Sequence, residues 1–279
     1  MEEKVLRKNK NGMAVLILGI ILYLIAAALI VFGSVWMAEE EMVLGVILFV
    51  VGTVYACVGW IPFLGLKVLK PQEALVLTLF GKYVGTLKEP GFYHVNPFCI
   101  AVNPAAHTKL NQSGDVDGGM NKKLLQASGV SATTASSEGK KISLKIMTLN
   151  NSRQKINDCL GNPVEIGIAV MWRVTDTAKA VFCVDNYKEY LSLQCDSALR
   201  DIVRIYPYDV AENVDTTGDG LADEGSLRGS SEIVAERIRA EIQKKVADAG
   251  LEVLEARITY LAYAPEIAAV MLQRQQASA

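Results

Sequence analysis

The chain has 279 residues, a formal net charge of −2 and 51% hydrophobic residues. This length allows one or two domains, and the nearly balanced charge excludes the broad positive field with which proteins attract nucleic acid. The five cysteines are scattered and form no C-x-x-C pair, which argues against a disulfide framework and a structural zinc site. The hydrophobic residues are concentrated near the N-terminus, so the first part of the chain has the composition of a membrane segment.

Two uncharged runs, residues 13–37 and 42–66, follow a short N-terminal segment. Each run exceeds the roughly 20 residues that an α-helix needs to cross the hydrocarbon of a bilayer. Two buried helices of a soluble protein are the alternative, but such helices carry a polar face and these runs have none. Because only residues 38–41 separate the runs, the sequence predicts an antiparallel two-helix membrane hairpin over residues 13–66.

The charges at the two ends of the hairpin predict its orientation. Lys and Arg stay on the cytoplasmic side of a membrane; they occur in segment 1–12 and again, as Lys67 and Lys70, after the second run. Both termini are therefore expected in the cytoplasm, with the acidic link outside.

Two tryptophans, Trp36 and Trp60, lie near the ends of the runs, where indole rings settle among the headgroups. The predicted membrane-interface residues are therefore Trp36, Trp60, Lys67 and Lys70. Three residues that weaken a helix leave open a hairpin that dips into one leaflet: Gly59, Pro62 and Gly65.

The chain from residue 71 to residue 264 is predicted to be an α+β domain. Residues 71–98 alternate short β-rich stretches with Gly and Pro turns, which is typical of a β-meander. In residues 141–149 and 162–174 apolar residues alternate with polar ones, the period of half-buried strands that are neighbours in one sheet. Two further helices and a closing strand are predicted at residues 186–205, 231–249 and 251–263.

Two segments of this domain lack the apolar anchors of a packed element. Residues 111–140 are rich in Gly, Ser, Ala and Thr and bury too little surface to offset the entropy of ordering, so they are predicted to be a mobile insertion. Residues 215–225 match four positions of a calcium-binding loop and are a weak candidate metal site. The matching residues are Asp215, Thr217, Asp219 and Asp223. Ser226 replaces the bidentate Glu of that pattern, so an exposed acidic loop is the simpler interpretation.

Motifs for catalysis are largely absent from the sequence. It contains no P-loop, no H-E-x-x-H zinc motif and no G-x-S-x-G nucleophile elbow. Neither of the two histidines, His94 and His107, has an identifiable partner for acid–base chemistry. The S-x-x-K spacing of Ser152 and Lys155 lacks the companion motifs of the acyl-enzymes that use it. The chain is therefore not expected to be an enzyme or to bind a cofactor.

Three segments, taken in order, resemble the SPFH domain, also called Band 7, of stomatins, prohibitins, flotillins and bacterial protease-modulating membrane proteins. They are PQEALVLTLFGKYVGTLKEPGFYHVNPF, NPVEIGIAVMWRVTDTAKAVFCVDNYKEYLSLQCDSALRDIV and ADAGLEVLEARITYLAYAPEIAAVMLQRQQASA. The resemblance extends from residue 71 to the end of the chain, and the preceding hairpin is similar to that of one bacterial branch. It implies a multi-pass protein of the cell inner membrane with its SPFH domain in the cytoplasm.

The resemblance also implies a role for the final helix. Pro265 is suited to the first position of a helix, and residues 265–279 resemble the start of the coiled-coil arm through which relatives assemble. Ile267, Val270 and Met271 form its mildly apolar face and are the predicted oligomerisation residues. A helix of this length is marginal in isolation, so a frayed tail is the alternative.

The leading functional hypothesis is a non-enzymatic membrane scaffold. The resemblance implies a homo-oligomer of many copies that forms a ring or cage, organises a membrane microdomain or encloses membrane partners such as a protease. The expected partners are membrane lipids, further copies of the chain and another membrane protein. A low-copy regulatory subunit of a membrane protease or other membrane enzyme is the alternative. A channel is less favoured because the apolar runs contain no charged residue, the usual mark of an ion path.

Overall fold

The fold is that of a computed structural model, which describes residues 2–6, 11–38, 42–108, 110, 139–209 and 225–278. The chain divides into two compact units. The first unit takes its residues from 3–102 and 140–142, and the second takes nearly all of the rest. Apolar helices come first and a mixture of strands and helices follows, which confirms the predicted α+β class with an N-terminal pair of apolar helices.

Two apolar helices open the first unit. Helix α1 spans Gly12–Ala38, helix α2 spans Met42–Val58, and a one-turn helix, α3, follows at Ile61–Leu64. Helix α2 ends where Gly59 and Trp60 form a turn, ahead of a proline at the start of α3. At about 1.5 Å per residue, α2 alone is about 25 Å long, close to the lower limit for crossing hydrocarbon.

The two long helices approach each other closely at glycines. A Cβ atom on Gly33 would lie 2.7 Å from the backbone nitrogen of Phe49, and one on Gly45 would lie 2.7 Å from the backbone nitrogen of Met37. Small residues at a helix crossing permit this kind of backbone approach in membranes. The hairpin is therefore packed through its backbones, and many of its large apolar side chains are exposed.

Five short strands complete most of the first unit; three of them lie within residues 71–98, where the turn spacing predicts short strands, and one lies on either side of that segment. They are β1 (Leu66–Leu69), β2 (Glu73–Leu79), β3 (Lys82–Leu87), β4 (Gly91–His94) and β5 (Ile100–Ala101). Strand β1 pairs with β4, and β2 pairs with both β3 and β5, all antiparallel. The buried core of these strands consists of Leu69, Leu75, Leu77, Leu87, Tyr93, Val95 and Cys99.

Residues 3–6 add a short parallel segment to the free edge of β3. The Leu6 N–H donates to the Thr86 carbonyl at 2.9 Å, and the Thr86 N–H donates to the Lys4 carbonyl at 2.8 Å. A Cβ atom on Gly85 would lie 2.6 Å from Leu6 Cγ, so this close approach requires glycine. A segment that precedes the first apolar helix thus pairs with a strand that follows the second.

The second unit is built on one antiparallel sheet. Its central strand pairs with one long strand on one side and with two short strands on the other. The strands are β7 (Met147–Asn150), β8 (Gln154–Asn157), the central β9 (Pro163–Val174) and β10 (Leu251–Tyr263). The helices are α4 (Thr177–Phe182), α5 (Tyr187–Val203), α6 (Ser231–Val246) and α7 (Pro265–Ser278).

The core of the second unit lies between β9 and the helices. Alternate residues of β9 are almost fully buried, as their period predicts: Val164, Ile166, Ile168, Val170, Trp172 and Val174. Helix α6 packs against both β10 and α5 through one buried stripe, which consists of Val234, Ile238, Ile242 and Val246. The periodicity of the sequence therefore identifies the buried face of the sheet correctly.

Residues 141–149 do not form the single strand that their alternation predicts. Ile142 is buried in a two-residue strand, β6 (Ile142–Ser143), which pairs with β2, whereas Met147 and Leu149 are buried in β7 beside β9. Ile146, which the alternation assigns to the core, is 58% exposed. The chain bends at Lys145 and joins a different sheet, so the alternation starts again with the opposite phase.

Candidate functional site

The apolar surface of the hairpin is the most prominent feature of the first unit. Residues Gly12–Met37 and Val43–Leu64 are long and apolar enough to cross a membrane. In the most apolar 18 residues of the first stretch only 6% are buried, and in those of the second stretch 17% are buried. A core helix of a soluble protein buries most of its apolar residues, whereas an apolar surface of this size is favourable only in an apolar medium. The two stretches therefore fit membrane spans better than buried soluble helices.

The four predicted interface residues lie at both ends of the hairpin. Trp36 is in the last turn of α1 and is 39% exposed, and Trp60 follows α2 and is 53% exposed. Lys67 is in β1 opposite Tyr93, and Lys70 is exposed in the turn before β2. Trp60, Lys67 and Lys70 thus follow one another where the chain leaves the hairpin, and their contact with headgroups stays a prediction.

A second apolar surface lies at one end of the small sheet. The β2–β3 hairpin turns on Phe80 and Gly81, whose φ angles of 48° and 81° are those of a type I′ turn. This left-handed conformation costs a residue with a side chain roughly 1–2 kcal/mol, which is why Asn-Gly is preferred there. Phe80 is 88% exposed, so burial within the unit does not offset that cost. Phe98 and Ile100 are 61% and 59% exposed near the same end.

The C-terminal helix α7 leaves the second unit from a defined junction. The Ala264 N–H, just before the helix, donates to the Pro163 carbonyl at 2.9 Å. Lys155 Nζ lies 2.6 Å from Glu266 Oε1, and this hydrogen bond lowers the pKa of the Glu266 carboxyl. The first turn of α7 is thereby attached to both β8 and β9.

The three predicted oligomerisation residues share one side of α7, because they are three and four residues apart. Val270 is 63% exposed, and Ile267 and Met271 are partly exposed. The helix thus carries an apolar side chain on its surface just beyond the junction. That these residues join neighbouring copies stays a prediction.

Asp158 organises the loop between β8 and β9. The sequence analysis did not identify this role. Its Oδ1 accepts hydrogen bonds from the backbone N–H groups of Leu160 and Asn162 at 2.9 and 2.8 Å. Its Oδ2 accepts from the Tyr208 N–H at 3.1 Å, and the residue is 5% exposed. The carboxylate therefore ties this loop to the segment after α5. An aspartate in a loop indicates a turn, but no local signal identifies the distant Tyr208 as its third partner.

Three of the cysteines, Cys99, Cys159 and Cys195, do not have the character of nucleophiles. Burial, with a contribution from the neighbouring Asp196, raises the pKa of the Cys195 thiol to about 12. Burial also raises the pKa of Cys99 and of Cys159. A thiol with a raised pKa is protonated at neutral pH and reacts poorly, because the thiolate is the nucleophile.

A groove along α5 collects polar side chains, but most of them are already paired. Asp196 accepts hydrogen bonds from Asn151 and Gln154. Lys245 donates to Ser197 and Asp201 at 2.9 and 2.6 Å. These hydrogen bonds join α5 to the neighbouring elements, so the polar side chains of the groove have a structural role.

Within the described part of the chain, no group of three or more His, Cys, Asp or Glu residues is placed to hold a metal ion. The candidate calcium loop lies outside the described residues, as do the acidic link at residues 39–41 and almost all of the predicted insertion. The predictions for these segments therefore stand untested.

Residues 67–279 match the family model described as the SPFH domain / Band 7 family. The match covers more than half of the chain, so the protein belongs to this family, and the resemblance inferred from the sequence is confirmed. Members of the family are generally membrane-associated scaffolds without enzyme activity. A comparison with curated proteins finds no match to the chain.

Proposed function

We propose that the protein is a membrane scaffold whose copies assemble into a ring or cage in the cell inner membrane. The assembly organises a membrane microdomain or encloses a membrane protease or another membrane protein. The observation that carries this proposal is an SPFH domain at residues 67–279 that directly follows two exposed apolar helices. Family membership accounts for membrane association, and assembly into a closed structure is the further step.

The N-terminal segment supports a hairpin whose two ends lie on one side of the membrane. Residues 3–6 pair with β3, and Glu3 forms an ion pair with Lys88 just after that strand. Since these partners lie on opposite sides of the hairpin in the sequence, their pairing supports a polypeptide that returns to the side from which it started. The basic residues beside both ends favour the cytoplasm for that side.

Labelling of single cysteines with a membrane-impermeant maleimide tests this orientation. In spheroplasts, a cysteine in the acidic link (Glu40→Cys) is expected to react from outside, and Lys4→Cys only after permeabilisation. A link cysteine that does not react from outside, while Lys4→Cys still reacts only after permeabilisation, would instead favour a hairpin that dips into one leaflet.

Particle mass and shape in mild detergent test the assembly directly. Mass photometry and electron microscopy of the full chain are expected to show closed rings of many copies. A monomer or dimer would contradict the scaffold and favour a low-copy regulatory subunit of a membrane enzyme.

A pair of neighbouring substitutions on α7 tests the role of its apolar side. Val270→Glu places a charge on that side, whereas Ala269→Glu places the same charge on the next residue, which is also exposed. Val270→Glu is expected to reduce the particles to small species while Ala269→Glu keeps them intact. Equal particle masses for both variants would remove this side of α7 from the assembly contact.

A further inference from the structure

Residues 3–6, which we call the edge segment, cover one edge of the small sheet by pairing with β3. We propose that the edge segment is a guard, which keeps a second copy of the chain from pairing with β3 through the same edge. Copies that share a membrane then meet through other surfaces. This inference rests on the membrane anchoring in the proposed function but not on a closed ring, because it needs only two copies in one membrane.

The last part of β3 lacks the features that protect exposed strands. An edge strand that faces water usually carries charged residues, a proline or a bulge, which discourage pairing with another chain. The irregularity in the pairing of β3 with β2 lies before Gly85, and Gly85, Thr86 and Leu87 pair regularly. These three residues include neither a charge nor a proline. Without the edge segment they would form a regular, uncharged edge.

The edge segment satisfies both backbone groups of Thr86. The Thr86 N–H donates to the Lys4 carbonyl at 2.8 Å, and the Thr86 carbonyl accepts from the Leu6 N–H at 2.9 Å. The Tyr83 hydroxyl accepts from the Lys4 N–H at 3.2 Å and lies 2.8 Å from Thr86 Oγ1. Thr86 is fully buried in this arrangement. Loss of the edge segment would leave its donor and its acceptor for another strand to pair with.

Side chains hold the edge segment in one register. Leu6 packs against the small core of the first unit, next to Gly85, where a Cβ atom would lie 2.6 Å from Leu6 Cγ. At the other end of the segment, Glu3 Oε2 lies 2.5 Å from Lys88 Nζ. An apolar contact and an ion pair thus supplement the backbone hydrogen bonds, and a substitution at Leu6 alone removes the apolar contact.

The link to α1 explains how so short a strand holds its place. Only residues 7–11 separate Leu6 from Gly12, the first residue of α1. A link of this length gives the edge segment a local concentration at β3 of roughly millimolar or more. A second copy is the strongest competitor, because the proposed membrane hairpin confines each copy to the same plane and each copy presents an identical edge. An antiparallel pairing centred on Thr86 sets residue 86 of one copy opposite residue 86 of the other.

A cysteine at position 86 reports both the opening of the edge and its pairing. Thr86→Cys is introduced into the full chain after three exposed cysteines have been changed to serine: Cys57, Cys159 and Cys183. Leu6→Asp then puts a charge into the contact with the small core. Lys4→Asp is the matched control, because it puts the same residue at an exposed position of the edge segment. Membranes are treated with a maleimide or, separately, with copper phenanthroline, which oxidises opposed cysteines to a disulfide.

The cysteine at 86 is expected to be protected in the chain with Thr86→Cys alone and in Lys4→Asp. In Leu6→Asp its labelling rate should rise about tenfold or more, because the loss of a leucine's apolar contact shifts the opening equilibrium by at least that factor. Copper phenanthroline should then join copies into disulfide-linked dimers in Leu6→Asp and not in the control.

Three results would overturn the proposal. Equal dimer yields with and without Leu6→Asp would show that the edge segment guards nothing. Faster labelling without dimers would show that the edge opens but that a second copy does not use it. Labelling that stays slow in Leu6→Asp would show that the edge segment does not cover residue 86.

Deletion of residues 2–6 keeps the proposal testable if Leu6→Asp folds poorly. The deletion removes the edge segment without placing a charge beside the small core, and the thermal midpoint of the full chain in detergent reports whether the variant is folded. A folded deletion variant should give the same labelling and the same dimers as Leu6→Asp. A folded deletion variant without dimers would contradict the guard.

Particle mass, measured on the chain with Thr86→Cys alone, separates this proposal from the scaffold. Closed rings from that chain, with no dimers in either variant, would remove the guard and leave the scaffold in place. Small particles from that chain, with dimers in both variants, would do the opposite.

Discussion

The two units of the chain use apolar side chains in opposite ways. In the second unit, the apolar residues of β9 face inward, and Ile166, Ile168 and Trp172 are fully buried. In the first unit, a small core lies beside helices whose large side chains are exposed, among them Leu24 and Phe32 at 67% and 60%. The helices of the hairpin contact each other mainly where glycines allow the backbones to meet.

This difference shows which environment each unit requires. A unit stabilised by burial from water loses stability when a core side chain is truncated. A hairpin whose side chains face lipid gains little from burying apolar groups, since lipid tails are equally apolar, and it depends on backbone fit instead. The same kind of residue therefore has different consequences in the two units, and substitutions can measure the contrast.

The largest effect is expected from Trp172→Ala in the second unit. The indole is fully buried and packs edge-on against Tyr187, with ring centroids 6.2 Å apart. Its loss should lower the free energy of unfolding by about 3–5 kcal/mol, measured by urea unfolding of the full chain in detergent. Arg173→Ala removes the exposed neighbouring side chain and its ion pair with Glu252, and should cost less than about 1 kcal/mol. Equal losses would contradict a core centred on β9.

A somewhat smaller effect is expected when the acceptor of the β8–β9 loop is removed. Asp158→Ala leaves the N–H groups of Leu160, Asn162 and Tyr208 without this carboxylate, and should cost about 2–3 kcal/mol in the same measurement. Asp185→Ala, at an exposed aspartate, should change the free energy of unfolding by less than about 0.5 kcal/mol. A loss as small as that of the control would show that the loop holds without Asp158.

The hairpin should respond to an added side chain rather than to a removed one. Gly33→Val forces the backbones of α1 and α2 apart and should cost about 1–2 kcal/mol of helix association. Unfolding in mixtures of mild detergent and dodecyl sulfate, followed by a pair of fluorophores on the two helices, measures this cost. Ala27→Val adds the same branched side chain at an exposed position of α1 and should be neutral. A neutral Gly33→Val would mean that glycine contact does not hold the hairpin together.

The smallest effect, and one that depends on pH, is expected at the ion pair beside β2. Burial raises the pKa of Glu73, but the hydrogen bond from Lys141 and that from the Lys70 N–H, together with both lysine charges, lower it below its ordinary value of 4.5. Because the folded pKa is the lower one, the stabilisation is present above about pH 4.5. It is lost as the pH falls through the folded pKa.

Glu73→Gln should therefore cost less than about 1 kcal/mol at pH 7 and nothing at acid pH, measured by unfolding at several pH values. Lys141→Met should remove the same pH-dependent part, since its Nζ lies 3.0 Å from Glu73 Oε2. The double variant should then lose no more than either single variant does. A difference that persists unchanged at acid pH would assign the effect to packing instead of charge.

Prediction from the sequence succeeded where the signal repeats along a continuous segment. The helices of the hairpin, the buried face of β9 and the helix Tyr187–Val203 all follow from spacing that the sequence displays over many residues. It failed for residues 141–149, because the chain bends within this segment. The residues before the bend pair with β2, and those after it pair with β9 in a different sheet. It also missed Asp158, since two of its partners are close in sequence but the third is Tyr208.

By itself, the sequence determined the two apolar helices, the α+β class and the family, because long apolar runs and periodic faces are local properties of a chain. The tertiary structure alone decided that residues 3–6 pair with β3, that Gly85 makes room for Leu6, and that Thr78 lies opposite Ile100 across β2 and β5. These contacts join segments distant in sequence, and they depend on strand edges and registers that exist only once the sheet has formed. No local periodicity encodes them, because their free energy comes from partners that the rest of the fold supplies.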